Sequence, residues 1–212
     1  MEAVIFDCDG VLVDSESLCW DAWRAVLGRY DMRVEPADTA LLIGLPDAEI
    51  AAFFAARGGL PAVSRVLAEL DEHERILYAT SVRPFADAQV LARALAAEGV
   101  PIAVATNGTR AHLAAMLGFA ELDDVLEVRV AVDDVARGKP APDVYLEAAR
   151  RLEIDPGRCI AIEDSPTGLS AALAAGMTTI GIARDPGHAA SLGHAHAVVH
   201  SLERRLLPTF GR

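Results

Sequence analysis

Cysteine is scarce in this chain. Cys8, Cys19 and Cys159 are odd in number and widely spaced, which excludes a disulfide framework and reads as free thiols in a reducing compartment. Long hydrophobic runs are missing too: no window approaches eighteen uninterrupted apolar residues, and the strand-like stretch from Ala3 to Phe6 begins without a basic leader. These features predict a cytoplasmic protein with no membrane partner. Positive charge is in deficit, and a formal net charge of -12 excludes a nucleic-acid partner, because such binding needs a basic surface to neutralise phosphates. Lysine is nearly absent, with Lys139 standing alone against eighteen arginines. Also absent are internal repeats and low-complexity segments.

What remains is a 212-residue chain, 52% hydrophobic and 24% charged, long enough for one domain or for a core carrying an inserted second lobe. Short β-branched or aliphatic runs recur at Ala3 to Phe6, Ile102 to Ala105, Val128 to Val132, Cys159 to Ile162, Thr179 to Ile182 and Ala197 to Val199. Helical patterns such as Asp87 to Ala97 and Asp143 to Leu152 separate most of them, the alternation of a parallel, doubly wound α/β sheet. From Ser15 to Val82 the pattern changes. Only amphipathic helical periods occur there, at Leu18 to Leu27, Ala48 to Ala56 and Ala62 to Leu70, broken at Gly44, Gly58-Gly59 and Pro61. The expected organisation is therefore a core of residues 1–14 plus 83–212 and a helical insert of residues 15–82.

Three apolar strands end in reactive polar residues: Asp7 after the first, Thr106-Asn107 after the second, and Glu163-Asp164 after Ile160-Ala161-Ile162. Ser165-Pro166 reads as a helix N-cap followed by proline at the first helical position, and Gly176 as the residue that ends that helix. Asp164 thus lies at a strand-to-helix junction, on the carboxyl edge where open α/β sheets bind ligands. Asp7 and Asp9 leave an extended backbone on the same side. Two carboxylates about 5 Å apart repel by roughly 3 kcal/mol at an effective dielectric near 20. The remedies are a raised carboxyl pKa or a hard cation, and an all-oxygen cluster suits Mg²⁺. An anionic substrate would meet a negative protein, so the site must reverse the field locally with a metal, backbone N–H groups and a few placed cations. Lys139, in Gly138-Lys139-Pro140 ahead of the helix near Asp143, is such a cation, and its compact ammonium differs from an arginine fork.

Four segments, IFDCDGVLVDSE from Ile5, ATNGT from Ala105, GKPAPDVY from Gly138 and IEDSPTG from Ile162, resemble in order and spacing the four motifs of the haloacid dehalogenase superfamily. The resemblance spans almost the whole chain and implies a Rossmann-like core with an inserted α-helical cap. It implies a phosphatase acting on a small phosphorylated metabolite, a sugar phosphate or phosphoglycolate-like ester, through an aspartyl-phosphate on Asp7. Asp9 would be general acid and base, Lys139 would offset charge, and Thr106 with the backbone of Asn107 and Gly108 would hold phosphate oxygens. Asp7, Asp164 and the backbone carbonyl of Asp9 would ligate magnesium, with Glu163 orienting metal-bound water or ligating directly. The family also contains dehalogenases, phosphonate-cleaving enzymes and β-phosphoglucomutase. Asp9 argues against the first, and a cap without lysine argues against the second. The mutase is the nearest alternative, although Cys19 and Asp47 stand where it carries a cap histidine and arginine. A non-enzymatic binding module finds no support in motifs that retain every reactive residue.

Other conspicuous residues receive structural readings. His188, His194, His196 and His200 read as surface histidines, Cys8 as core, and Trp20 and Trp23 as packing inside the helical insert. Asp14 and Glu16 read as capping a helix or shaping the hinge.

Overall fold

The computed structural model describes residues 1–42, 45, 47–208 and 210, and leaves the side chains of Glu16, Ala40 and Ala79 undescribed. The break expected at Gly44 lies outside the described residues, as does any role for the Glu16 side chain. In chain order the elements are β1 (Ala3–Phe6), β2 (Val13–Asp14), α1 (Glu16–Gly28), α2 (Pro36–Leu42), α3 (Asp47–Ala55), α4 (Val63–Ser81) and β3 (Arg83–Pro84). They continue as α5 (Ala86–Ala97), β4 (Ile102–Ala105), α6 (Arg110–Phe119), β5 (Val128–Val130), α7 (Asp143–Leu152), β6 (Cys159–Glu163), α8 (Pro166–Ala174), β7 (Thr178–Ile182) and β8 (Ala197–Val199). The chain divides into two compact units, Met1–Asp14 with Arg83–Arg212, and Ser15–Val82.

In the first unit six strands form a parallel sheet in the order β5-β4-β1-β6-β7-β8. Counting only these strands, the order is 3-2-1-4-5-6, that of a doubly wound dinucleotide-type fold. Such a sheet is covered on both faces, which explains why β1, β4 and β6 are buried at every residue rather than at alternate ones. Ala3, Ile5, Ala103, Ala105, Val130, Cys159 and Ala161 pack with Val144, Tyr145 and Ala148 of α7 and Ala171 and Ala172 of α8 in one cluster. Small side chains on the strands let α7 approach closely. Its dipole is matched at both ends, by Asp143 in the first turn and by Arg150 and Arg151 in the last. β5 ends at Val130, two residues earlier than the apolar run predicts, because Val132–Asp134 winds into a short 3-10 turn. The Asp134 carboxylate accepts from the Ala131 N–H to close that turn.

In the second unit Trp23, Val26, Leu27, Ile50, Phe54, Val66 and Leu70 form the core. Trp23 and Phe54 stack at 6.2 Å between ring centres, and the Trp23 indole N–H donates to Asp47. Two departures from the sequence pattern occur. α4 continues eleven residues past Leu70, to Ser81, because no glycine or proline intervenes and strong helix formers carry it on, aided by the Glu72–Arg75 pair. α2 has no amphipathic period. Its first turn is fixed instead by Asp38, which accepts from the Glu35 N–H at 2.9 Å and pairs with Arg57.

Candidate active site

β1, β4 and β6 are neighbours in the sheet, so their carboxyl ends bring Asp7, Thr106 and Glu163-Asp164 to one edge, beside the switch in strand order. Asp7 follows β1, and its N–H donates to the Ile162 carbonyl at 2.9 Å, which extends the ladder by one bond and fixes the residue's position. The chain then turns at Gly10, whose φ is +75°. A β-carbon on Gly10 would meet Asp164 Oδ2 at 1.7 Å, so both the left-handed backbone and the close approach require glycine.

Lys139 reaches this edge from the loop before α7. Its ammonium donates to Asp7 Oδ1 at 2.5 Å, to Glu163 Oε1 at 2.6 Å and to the Ala105 carbonyl at 2.9 Å, which uses all three N–H bonds. The side chain is 4% exposed. Asn107 holds the loop by its backbone: its side-chain carbonyl accepts from the Lys139 N–H at 2.7 Å, and its amide donates to the Lys139 carbonyl at 3.2 Å. Gly138 makes room, since a β-carbon there would stand 2.6 Å from Asn107 Oδ1. Asn107 therefore acts here through its side chain, whereas the sequence pattern assigned only its backbone.

Glu163 is fully buried and saturated. Oε1 accepts from Lys139 and from the Tyr145 hydroxyl at 2.6 Å, while Oε2 accepts from the Asp164 N–H, the Ser165 N–H and the Ser165 hydroxyl. Ser165 is the N-cap of α8, as its sequence predicts, and accepts from the Gly168 N–H at 3.0 Å. Thr106 is buried, and its hydroxyl oxygen accepts from the Gly108 N–H at 2.9 Å, leaving the hydroxyl proton as a donor. Asp9 meets His112 of α6: Nε2 lies 3.0 and 3.1 Å from the two carboxylate oxygens.

Burial pushes the Asp7 carboxyl up to about 7; the Lys139 ammonium pulls the other way, and Glu163 and Asp9 add to the rise. Burial alone would lower the Lys139 pKa, but Asp7 and Glu163 prevail and hold the ammonium charged. Tyr145 is pushed well above its ordinary value by burial first and then by Glu163, so it stays a donor. The same burial makes the Cys8 thiol inert between its two acidic neighbours.

Asp7, Glu163 and Asp164 each offer a carboxylate oxygen, and the three atoms lie within 4.8 Å of one another. An all-oxygen donor set with the Asp164 carboxylate seated against a glycine fits a hard divalent cation such as Mg²⁺. The Asp9 side chain is not part of that group.

Several site neighbours carry no signal in the sequence. Tyr145 falls inside a recognisable motif but without an obvious role, and Ser165 is marked only as a helix N-cap, not as a partner of Glu163. His112 gives no local cue, since only the fold sets the first turn of α6 beside Asp9. His188, one of the four C-terminal histidines, lies 3.0 Å from the Asp164 carbonyl, so it is far from the motifs only along the chain. His194, His196 and His200 are exposed, and His196 pairs with Thr179. Asp14 pairs with Arg83 in the β2–β3 ladder, at the point where the chain passes from one unit to the other, and Ser15 is the N-cap of α1. Cys19 and Asp47 come together with Glu74 in the helical unit.

A family model described as haloacid dehalogenase-like hydrolase matches residues 1–176. The bifunctional riboflavin kinase/FMN phosphatase of Arabidopsis thaliana is 31% identical over 206 residues; the match covers 94% of this chain but 53% of that protein, so the chain spans about half its length. Fructose-1-phosphate phosphatase YqaB of Escherichia coli (strain K12) is 33% identical over 180 residues, covering 84% of this chain and 95% of that protein. Among solved structures, a HAD family hydrolase from Deinococcus radiodurans R1 with bound phosphate and sodium is 35% identical at a TM-score of 0.83, over 95% of this chain and 91% of that one. Among the described residues, no helix is long and apolar enough to cross a membrane.

Proposed function

As the chain belongs to the haloacid dehalogenase-like hydrolases, we propose that it is a Mg²⁺-dependent phosphatase that hydrolyses a small phosphate monoester through an aspartyl-phosphate on Asp7. The observation that carries this reading is Lys139, buried and bonded to both Asp7 and Glu163 at the sheet edge that also holds Thr106. A lysine buried there neutralises both a nucleophilic carboxylate and the phosphate it attacks.

A carboxylate oxygen of Asp7 forms the new O–P bond as the bond from phosphorus to the leaving oxygen breaks. The Asp9 carboxyl gives its proton to that leaving oxygen. In the second half Asp9, now a carboxylate, takes a proton from water as the water oxygen bonds to phosphorus and the Asp7 oxygen is released. The Thr106 hydroxyl and the Asn107 N–H hold phosphate oxygens, while the Gly108 N–H, expected to do the same, is instead engaged by Thr106 Oγ1. Asp7, Asp164 and the Asp9 carbonyl would hold the Mg²⁺, which would screen the charge of the phosphate and the acidic cluster. Glu163 has engaged its oxygens with five donors, which favours a positioning role over direct ligation. The Ser15–Val82 unit is the cap domain, where substrate choice resides.

Sugar phosphates and similar metabolites are the first candidate substrates, on the strength of the relatives' names. The test is a phosphate-release screen over a panel of sugar, polyol and short-acid phosphates, with Mg²⁺ and after exhaustive chelation. Release that depends on Mg²⁺ and is inhibited by calcium, whose looser coordination spoils in-line geometry, supports the proposal. Full activity in the chelated protein refutes the metal role, and an isomerised sugar phosphate without net phosphate release establishes the mutase instead.

A further inference from the structure

We propose that His112 is a positioning residue that holds the Asp9 carboxyl group for proton transfer. The inference rests on the reading of Asp9 as general acid and base, and it adds a residue outside the four motifs.

Three features of the structure converge on it. His112 Nε2 stands almost equally far from both Asp9 oxygens, at 3.0 and 3.1 Å, so in the tautomer that carries its proton on Nε2 a single N–H restrains the plane of the carboxyl as well as its distance. The imidazole is itself held. Its backbone N–H donates to the Thr109 hydroxyl, the N-cap of α6, which places the residue in the first turn at the sheet edge. Gly108 then makes space for the ring: a β-carbon there would meet His112 Cδ2 at 2.6 Å and Thr106 Oγ1 at 3.4 Å. The segment that presents Thr106 thus also seats His112, so the phosphate-binding turn and the proton donor are set by one piece of backbone.

The need for such a brace follows from where Asp9 lies. Asp7 is 10% exposed at its side chain and is gripped by Lys139, whereas the Asp9 side chain is 35% exposed and lies beyond the end of β1. Rotation of a partly exposed carboxyl aims it away from a leaving oxygen, and misplacement by about 1 Å costs on the order of 10²-fold in rate. His112 limits that rotation.

The test compares phenyl phosphate, whose leaving group needs its proton, with nitrophenyl phosphate, whose leaving group does not, in single-turnover experiments. For His112→Leu we expect phenol release to fall by roughly 10- to 100-fold, nitrophenol release by less than about threefold, and KM to stay within about threefold. His112→Gln carries an amide nitrogen near the Nε2 position and should restore most of the loss; His112→Asn, too short to reach, should not. In an Asp9→Asn background His112→Leu should add nothing, because its effect passes through Asp9. If the Leu variant does not fold, the Gln and Asn pair decides alone. Equal losses with both substrates, an additive double variant, or equal activity of Gln and Asn would overturn the proposal. If Asp9→Asn itself showed no leaving-group dependence, the role of Asp9 would be wrong instead, so the two failures are distinguishable.

Discussion

Replacing Lys139 by methionine tests the centre of the site, because methionine keeps the length of the side chain and removes only its charge and donors. At an effective dielectric near 20, each of the two contacts to Asp7 and Glu163 contributes roughly 6 kcal/mol of attraction, and desolvation of the buried ammonium cancels much of it. Removing one member of a buried ionic group leaves the others unpaired and costs about 3–5 kcal/mol. In a protein of this size that lowers Tm by roughly 10 °C. Part of the penalty is relieved if Asp7 takes up a proton, which its elevated pKa of about 7 makes easy near neutrality. Melting of Lys139→Met should therefore recover as the pH is lowered from 8 to 6, and by more than in the wild type, where the ammonium holds the Asp7 pKa lower and the gain is correspondingly smaller. Lys139→Arg keeps the charge but replaces three converging N–H bonds with a planar fork. It should lose at least tenfold in kcat/KM on nitrophenyl phosphate, about 1.4 kcal/mol of transition-state stabilisation. Thermal melts within 2 °C of wild type for Lys139→Met, with near wild-type turnover for Lys139→Arg, would show that the lysine neither anchors the acidic group nor acts in catalysis.

The two aspartates separate by rapid mixing with nitrophenyl phosphate: Asp9→Asn should give one burst of nitrophenol per enzyme and a steady rate lower by roughly 10² to 10⁴, while Asp7→Asn gives no burst. A burst from Asp7→Asn, or phosphate label on another residue, would contradict the assignment of the nucleophile. Gly168→Ala places a β-carbon 1.8 Å from Glu163 Oε1, a group fixed by five donors, and should cost at least about 3 kcal/mol in urea unfolding; a loss under 0.5 kcal/mol would show that Glu163 can yield. Hydrogen bonds from Arg150 and Arg151 depress Glu147 from an ordinary 4.5 to about 2, so its contribution is complete above pH 4.5 and lost as the pH falls toward 2. The stability difference between wild type and Glu147→Gln, below about 1 kcal/mol because the pair is at the surface, should shrink between pH 6 and pH 3; growth of the difference would reverse the sign of the argument.

The strands of the core and the reactive residues at their ends were legible in the sequence because a buried parallel strand leaves a short unbroken apolar run and its end is marked by the first polar residue. Ser165, Pro166 and Gly176 fixed α8 by capping chemistry, and Gly176 indeed carries a φ of +80°. The helical insert was legible in kind but not in extent. α4 outlasts its apolar periodicity, and α2 has none, so pattern alone missed half of one and all of the other. The site's supporting residues were illegible for a different reason. His112, Tyr145 and His188 act through contacts between elements far apart in sequence, and nothing in a histidine's neighbours reveals which carboxyl or carbonyl the fold will bring to it. Lys139 was the exception, since its rarity among eighteen arginines marked it before any contact was known.

The short β2–β3 ladder, Val13 opposite Pro84 and Asp14 opposite Arg83, places the outgoing and returning chain side by side. Phe85 adds a further bond to Leu12 at 3.0 Å. To the sheet, everything between Asp14 and Arg83 is a single loop whose ends are already joined. Loop-closure entropy grows only logarithmically, so doubling the length of that loop would cost the core about 0.6 kcal/mol. The ladder is in effect a graft junction: the segment Ser15–Val82 can be exchanged for a different module, or reduced to a turn, with the catalytic strands keeping their register. Such a junction lets a whole unit be replaced while the sheet edge that carries Asp7, Thr106 and Asp164 stays fixed.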